Sequence, residues 1–313
     1  MSSTVSRSRR TRDPLSAPAP SSARIWLMAA RVRTLPAAIG PVLVGTALAG
    51  YQNVFHPLRF LAALVGAVFI QVGTNLSNDY SDARRGADTE DRLGPVRITA
   101  GGLVPPRQVL LATYISFGVA VAAGAYLVVV AGWELLLVGA ASILAGVLYT
   151  GGPRPYGYEG LGEVFVFLFF GIVAVAGSYF VQVKHLEWEA FALAVPVGLV
   201  AAGILMVNNV RDIETDWRAG KRTLAVRLGR RRARGLFALT IYAAYVLLFV
   251  TWVFGPLTVW VMLPWLTMPV GAEIVREVRN RVDGPSLNRA LAQTGMLQLA
   301  FCMLLSAGLL ISR

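Results

Sequence analysis

The sequence predicts an all-α polytopic membrane protein of nine transmembrane helices, and three observations carry that prediction. First, of 313 residues 56% are hydrophobic and only 15% charged, against roughly a quarter charged in ordinary soluble domains. Second, eight blocks contain no Asp, Glu, Lys or Arg: 34–51, 60–78, 109–133, 135–152, 164–183, 190–210, 235–272 and 290–312. Each reaches the roughly 18 to 20 residues that cross a bilayer core as helix. Block 235–272 holds 38 residues, and at about 1.5 Å per residue one such helix would overshoot a core of about 30 Å nearly twofold. It must fold back, with Gly255-Pro256 as the breaker, and the count becomes nine. Third, 26 of the 29 Lys and Arg fall in the N-terminal arm and in the connections after spans two, four, six and eight, leaving only Arg59, Lys184 and Arg313 on the other side. One missed helix would scramble that alternation.

Taken in chain order, residues 1–23 are rich in Ser, Pro and Arg and read as a disordered cytoplasmic tail. No apolar export-signal region follows Arg9-Arg10. Residues 24–33 set Trp26, Leu27 and Met28 among arginines, as an interfacial lead-in does. The nine-span domain occupies 24–313. The positive-inside rule puts the N-terminus and the basic connections in the cytoplasm and the C-terminus outside the plasma membrane. The net charge of +12 therefore reads as membrane orientation and lipid contact, not nucleic-acid binding. Cys302 is the only cysteine, which excludes intrachain disulfides and Cys-based metal sites. His56 and His185 sit in short connections without the neighbours that a zinc or Ser-His site needs.

The chemistry-bearing residues stand at the cytoplasmic ends of spans two and six. Span two ends Asn75-Leu-Ser-Asn78-Asp79-Tyr-Ser-Asp82, and on a continuing helix Asn75, Asp79 and Asp82 fall within about 60° of one another. Span six ends Asn208-Asn209-Val-Arg211-Asp212-Ile-Glu-Thr-Asp216, where Asn208, Asp212 and Asp216 recur every fourth residue. Carboxylates gathered this way repel, by on the order of 3 kcal/mol for a pair about 5 Å apart at an effective dielectric near 20. An all-oxygen set suits a hard cation, and Mg²⁺ takes one or two carboxylates while completing its shell with water and substrate phosphate. Two Mg²⁺ ions would let the paired motifs grip a diphosphate. Arg84, Arg85, Arg92 and Arg97 after the first motif, and Arg218, Lys221 and Arg222 after the second, are further groups an anion would attract.

From about Arg31 onward these residues resemble the UbiA superfamily of intramembrane prenyltransferases. The likeness is carried by Asn-x3-Asp-x2-Asp at Asn75 and Asn-x3-Asp-x3-Asp at Asn208, by the run from Arg31 to Ala37, and by Gly86 through Arg97. Tyr149-Thr-Gly-Gly-Pro153, Gly160-Leu-Gly-Glu163 and Gly220 through Arg227 add to it. Within the superfamily the sequence is most similar to the branch that prenylates 1,4-dihydroxy-2-naphthoate in menaquinone biosynthesis. The interval of three between Asp79 and Asp82, where other members often have four, points the same way.

The resemblance implies a helix bundle around a central cavity and a Mg²⁺-dependent transfer of a polyprenyl group from an allylic polyprenyl diphosphate to 1,4-dihydroxy-2-naphthoate. Diphosphate and CO₂ leave, giving a demethylmenaquinone. Asn75, Asp79 and Asp82 are then expected to hold one Mg²⁺, and Asn208, Asp212 and Asp216 the other. Lys221, Arg97, Arg33, Arg92, Arg211, Arg222, Asn78 and Asn209 are candidates for the diphosphate or the acceptor carboxylate, with Tyr149 orienting the cation or ring through its π-face. Phe69, Leu76, Leu144, Phe167 and Met206 are candidate walls of a dry pocket. Rival acceptors are 4-hydroxybenzoate, homogentisate and haem. A cation-coupled transporter would carry ionisable residues at mid-span, and none lies there; a lipid-binding scaffold would not need both acidic motifs intact.

Overall fold

A computed structural model describes residues 21–87, 93–94 and 97–313. The described residues are helical, without strands. Helix α1, Ser22–Ala30, is capped by the Ser21 hydroxyl and ends at Arg31, whose left-handed backbone has φ 50°. After a short turn α2, Pro36–Tyr51, departs at 51° to it. Then come α3 (Pro57–Arg84), α4 (Pro106–Ala131) and α5 (Glu134–Leu148). A passage from Gly162 to Val183 runs through α6 (Gly162–Val166), a π-helical stretch Phe167–Val173 and α7 (Ala174–Val183). It is followed by α8 (Trp188–Arg211), short α9 (Ile213–Arg218), α10 (Leu224–Phe254), a 3₁₀ stretch Val259–Thr267, α11 (Met268–Asn280) and α12 (Gly284–Ile311).

The chain is a multi-pass membrane protein. Six of these helices are long and apolar enough to cross a bilayer core, and the bent α1–α2 pair makes a seventh. The other two predicted spans fall short for identifiable reasons. Helix α5 has 15 residues, about 22 Å at the α-helical rise, and span eight is divided where the 3₁₀ stretch meets α11. The breaker at Gly255-Pro256 is where expected, since α10 ends at Phe254.

Small residues set the packing, as they do where lipid removes any hydrophobic drive between helices. A methyl on Gly45 of α2 would lie 2.1 Å from the Val175 carbonyl oxygen of α7, and one on Gly171 only 2.6 Å from the Gly198 Cα of α8. These contacts let α8 run through the middle of the bundle, with α10 and α12 against it. Its end and the end of α3 then border one cavity.

Candidate active site

Helix α3 continues through Asp82 as the spacing predicts, and Asn75, Asn78, Asp79 and Asp82 are all buried on it. Their partners differ. Asn75 donates through Nδ2 to the Ala30 carbonyl (3.0 Å) and the Thr34 hydroxyl (3.1 Å), fixing its amide oxygen the other way, and Asn78 Oδ1 accepts from Thr150 (2.9 Å). Asp79 accepts the backbone N–H groups of Ile98 (3.2 Å) and Thr99 (3.0 Å), one per carboxylate oxygen, and so shapes the loop after α3. Asp82 takes the Tyr158 phenol at 2.6 Å on Oδ1, and on Oδ2 meets Arg97 at 3.4 Å and Lys221 at 3.5 Å. Lys221 also lies 4.7 Å over the Tyr158 ring.

The second motif is broken by a cap. Helix α8 stops at Arg211 with Asp212 at its C-cap, and α9 restarts at Ile213, so Asn208, Asp212 and Asp216 do not stack on one continuous helix. A single turn still links them, Asp216 N–H donating to Asp212 O at 2.8 Å. Arg211, fully buried, grips both Asp212 oxygens (Nε to Oδ1 2.7 Å, Nη2 to Oδ2 2.5 Å) and donates to Asn208 Oδ1 (2.8 Å) and Asn288 Oδ1 (2.7 Å). Asn209 donates to Glu163 Oε1 at 2.8 Å.

Both motifs border a cavity of about 540 Å³. Asn75, Asn78, Asp82 and Arg97 from the first motif and its loop, Asn208, Asn209, Asp212 and Asp216 from the second, and Tyr149 and Lys221 all line it. Below this polar mouth the walls are apolar, descending α3 to Ala63 and reaching Val128 of α4 and Leu136 of α5. Ala63 precedes Asp82 by 19 residues, about 28 Å of helix, which is close to the whole core of a bilayer.

A profile of proteins described as the UbiA prenyltransferase family matches residues 38–309. The chain belongs to that UbiA prenyltransferase family. Among relatives of this UbiA-family chain, a 1,4-dihydroxy-2-naphthoate octaprenyltransferase from Mycobacterium tuberculosis is 40% identical over 91% of the chain and 96% of that protein. One of the same description from Escherichia coli is 38% identical over 88% and 91%. Solved UbiA homologues share the fold: one from Aeropyrum pernix K1 superposes with a TM-score of 0.66 at 15% identity, covering 88% of this chain and 97% of that one. One from Archaeoglobus fulgidus, solved with GPP and Mg²⁺, gives 0.64 at 14% identity over 90% and 99%.

Several expected residues of the UbiA-family site lie elsewhere. Asp79 and Arg211 do not line the cavity, because each is committed behind it. Arg33 points out from a 3₁₀ turn while Arg31, two residues earlier, lines the cavity. Arg222 is exposed and contributes its backbone N–H to Tyr158 O (2.8 Å). Arg92 is outside the described residues. The expected walls Phe69, Leu76, Leu144, Phe167 and Met206 are also absent from the lining; Ile70, Ile143, Phe169 and Leu205 take that place. One residue is about 100° of helix, enough to turn a side chain from the cavity to lipid or core, and Leu144 is 58% exposed.

The sequence marks Glu163 only as part of a motif and gives Tyr158 and Asn288 no signal at all. Tyr158 joins Asp82 of the first motif to Lys221 beyond the second, yet it stands in a Gly- and Pro-rich connection where no spacing marks it. Beside it, burial pushes the Tyr156 phenol up, so it remains a donor, to the Ala145 carbonyl at 2.8 Å.

Proposed function

We propose that the chain transfers a polyprenyl group from an allylic polyprenyl diphosphate to 1,4-dihydroxy-2-naphthoate, releasing diphosphate and CO₂ and forming a demethylmenaquinol, the hydroquinone form of a demethylmenaquinone. The observation that carries the donor half is a single cavity with a charged mouth and an apolar body about as deep as a bilayer core. The acceptor half rests on the naphthoate prenyltransferases that match nearly end to end.

The donor set at the mouth fits Mg²⁺. It is made of carboxylate and amide oxygens, and among the described residues no three His, Cys, Asp or Glu side chains gather at one point. An ion held there would have one or two protein carboxylates and keep room for phosphate oxygens, the usual habit of Mg²⁺. Asn75 and Asp82, with Asp79 behind them, would hold one ion, and Asn208, Asp212 and Asp216 the other. Bound Mg²⁺ supplies charge neutralisation to the departing diphosphate.

The chain's own residues do the rest. Lys221 and Arg97 both meet Asp82 Oδ2 and both line the cavity, so a diphosphate bound there would have two cations within reach. Their charge favours breakage of the allylic C–O bond, with the electron pair leaving on diphosphate. The apolar walls keep water from the allylic cation. The naphthoate carbon that bears the carboxylate forms the new C–C bond, and its bond to CO₂ then breaks, returning an electron pair to the ring. Tyr149, at the end of α5 with its ring 5.4 Å from that of Tyr156, also lines the cavity, and its ring would stabilise the allylic cation. The distribution of Lys and Arg supports a cytoplasmic mouth and N-terminus and an external C-terminus.

The test is to incubate purified protein with Mg²⁺, a labelled polyprenyl diphosphate and a panel of naphthoate, hydroxybenzoate and homogentisate acceptors, then weigh the products. A naphthoate adduct lighter by CO₂, abolished by chelator, is expected. Prenylation of another acceptor with the naphthoate left untouched would overturn the assignment.

A further inference from the structure

The opposite end of the bundle has a second cavity, of about 420 Å³, that prenyl transfer does not use. It lies between the connection from α2 to α3 and the connection from α7 to α8. Arg59, on its wall, precedes Asp82 on α3 by 23 residues, about 34 Å of helix against a core of about 30 Å. The cavity therefore opens at the membrane surface remote from the acidic motifs.

Basic residues are scarce on that side, Arg59, Lys184 and Arg313 being the three expected there. Two of the three, and both histidines of the chain, line this one cavity. Its single carboxylate, Glu187, is already engaged: one oxygen meets His185 Nε2 at 3.1 Å and the other accepts from Gln52. His185 Nδ1 stands 3.0 Å from the Val183 carbonyl oxygen. The ring thereby ties Glu187 to the end of α7.

Arg59 and Lys184 are left without a carboxylate among the described residues. Arg59 is held in place by donating Nη1 to the Val181 (3.2 Å) and Gln182 (3.0 Å) carbonyls. Lys184 caps α7 in the left-handed region at φ 65°, its backbone N–H donating to the Phe180 carbonyl at 2.8 Å, while its ammonium makes no hydrogen bond or ion pair among the described residues. Gln182, 1% exposed, pins the opposite wall by accepting His56 N–H at 2.7 Å and donating to His56 O at 3.3 Å. Helices α3 and α8 start here and α2 and α7 end here, so the helix dipoles offset one another and the side-chain cations set the sign of the site.

We propose that this cavity binds the phosphate of an anionic phospholipid headgroup, with Arg59 and Lys184 as its cationic ligands. The site is a prebuilt pocket between membrane helices at headgroup depth, and two cations without a carboxylate partner among the described residues match a phosphate.

The test compares phosphatidylglycerol, phosphatidylcholine and inorganic phosphate, added to the full chain in neutral detergent, by native mass spectrometry and thermal stability. Phosphatidylglycerol is expected to bind and stabilise where phosphatidylcholine does not, and Arg59→Ala/Lys184→Ala to weaken that binding about thirtyfold. Because Arg59 also holds the end of α7, Lys184→Ala alone, which removes no side-chain hydrogen bond or ion pair among the described residues, is the second variant, with about fivefold expected. Prenyl transfer should be unchanged in Lys184→Ala. Competition by inorganic phosphate would support the same ligands with a free anion as the source. Equal binding of the two lipids by the wild type, or undiminished phosphatidylglycerol binding by both variants, overturns the proposal.

Discussion

Lys221→Met separates two roles that its position allows. Nζ is 3.5 Å from Asp82 Oδ2, where a unit-charge pair attracts by about 5 kcal/mol at an effective dielectric near 20. That gross figure overstates the loss to the fold, because Asp82 keeps Tyr158 and Arg97. The net destabilisation should be nearer that of one charge-assisted hydrogen bond, about 1.5–3 kcal/mol. If Lys221 also follows the departing diphosphate, its removal takes away a donor aimed at charge that grows in the transition state, and kcat should fall by about 10² to 10³. Initial rates at saturating donor and acceptor give the first quantity, and thermal unfolding in detergent the second. Asp82→Asn/Lys221→Met is the control. A lysine that merely neutralised Asp82 would be dispensable once Asp82 is neutral, so the double variant would be no slower than Asp82→Asn. A Lys221→Met enzyme with kcat within about threefold of wild type would refute the transition-state role.

Tyr158→Phe keeps the ring under Lys221 but removes the 2.6 Å bond to Asp82, and should lower stability by about 1.5–3 kcal/mol; Tyr158→Ala, losing the ring as well, should unfold at a lower temperature still. Gly198→Ala puts a methyl 2.8 Å from the Phe167 carbonyl oxygen and 3.0 Å from the Gly171 Cα, and the backbone shift should cost about 1–3 kcal/mol, read by thermal unfolding. Asp212→Asn should leave the protein folded in detergent and abolish Mg²⁺-dependent turnover, which product mass spectrometry detects. The Arg230 hydrogen bond holds the Glu214 carboxyl below its ordinary value of 4.5. Its contribution is therefore fully present above that value and lost as pH falls through the lowered one. The gap in unfolding temperature between wild type and Glu214→Gln should be steady near pH 7 and close below pH 4.5; it should be small throughout, since the pair is exposed.

The membrane architecture was legible because it depends on long-window properties. Uncharged length and the side on which Arg and Lys collect survive any error in helix rotation. Pocket walls do not: Ile70 and Phe169 line the cavity where Phe69 and Phe167, one and two residues away, do not. The acidic residues were found because charge at the end of an apolar span is conspicuous. Their pairings were not, since partners arrive from loops: Ile98 and Thr99 from one connection, Tyr158 from another.

Those pairings make two motifs of nearly identical spelling electrostatically unlike. Asp212 is neutralised by its own neighbour Arg211, a contact internal to the second motif. Asp82 is neutralised across the mouth, by Lys221 from beyond the second motif and by Arg97 from the loop beyond Asp79. An anion that draws Lys221 away therefore raises the negative potential at Asp82, and so raises that carboxylate's affinity for a divalent cation at the moment the diphosphate arrives. By linkage the converse holds: a cation on Asp82 releases Lys221 toward the anion. Cooperative binding of Mg²⁺ and diphosphate is thus expected of the first motif and should be weaker at the second, where Arg211 is tied on its far side to Asn288. Titrating Mg²⁺ with and without inorganic diphosphate, in wild type and in Lys221→Met, measures that coupling directly; an equal diphosphate effect in both proteins would mean that Lys221 does not carry it.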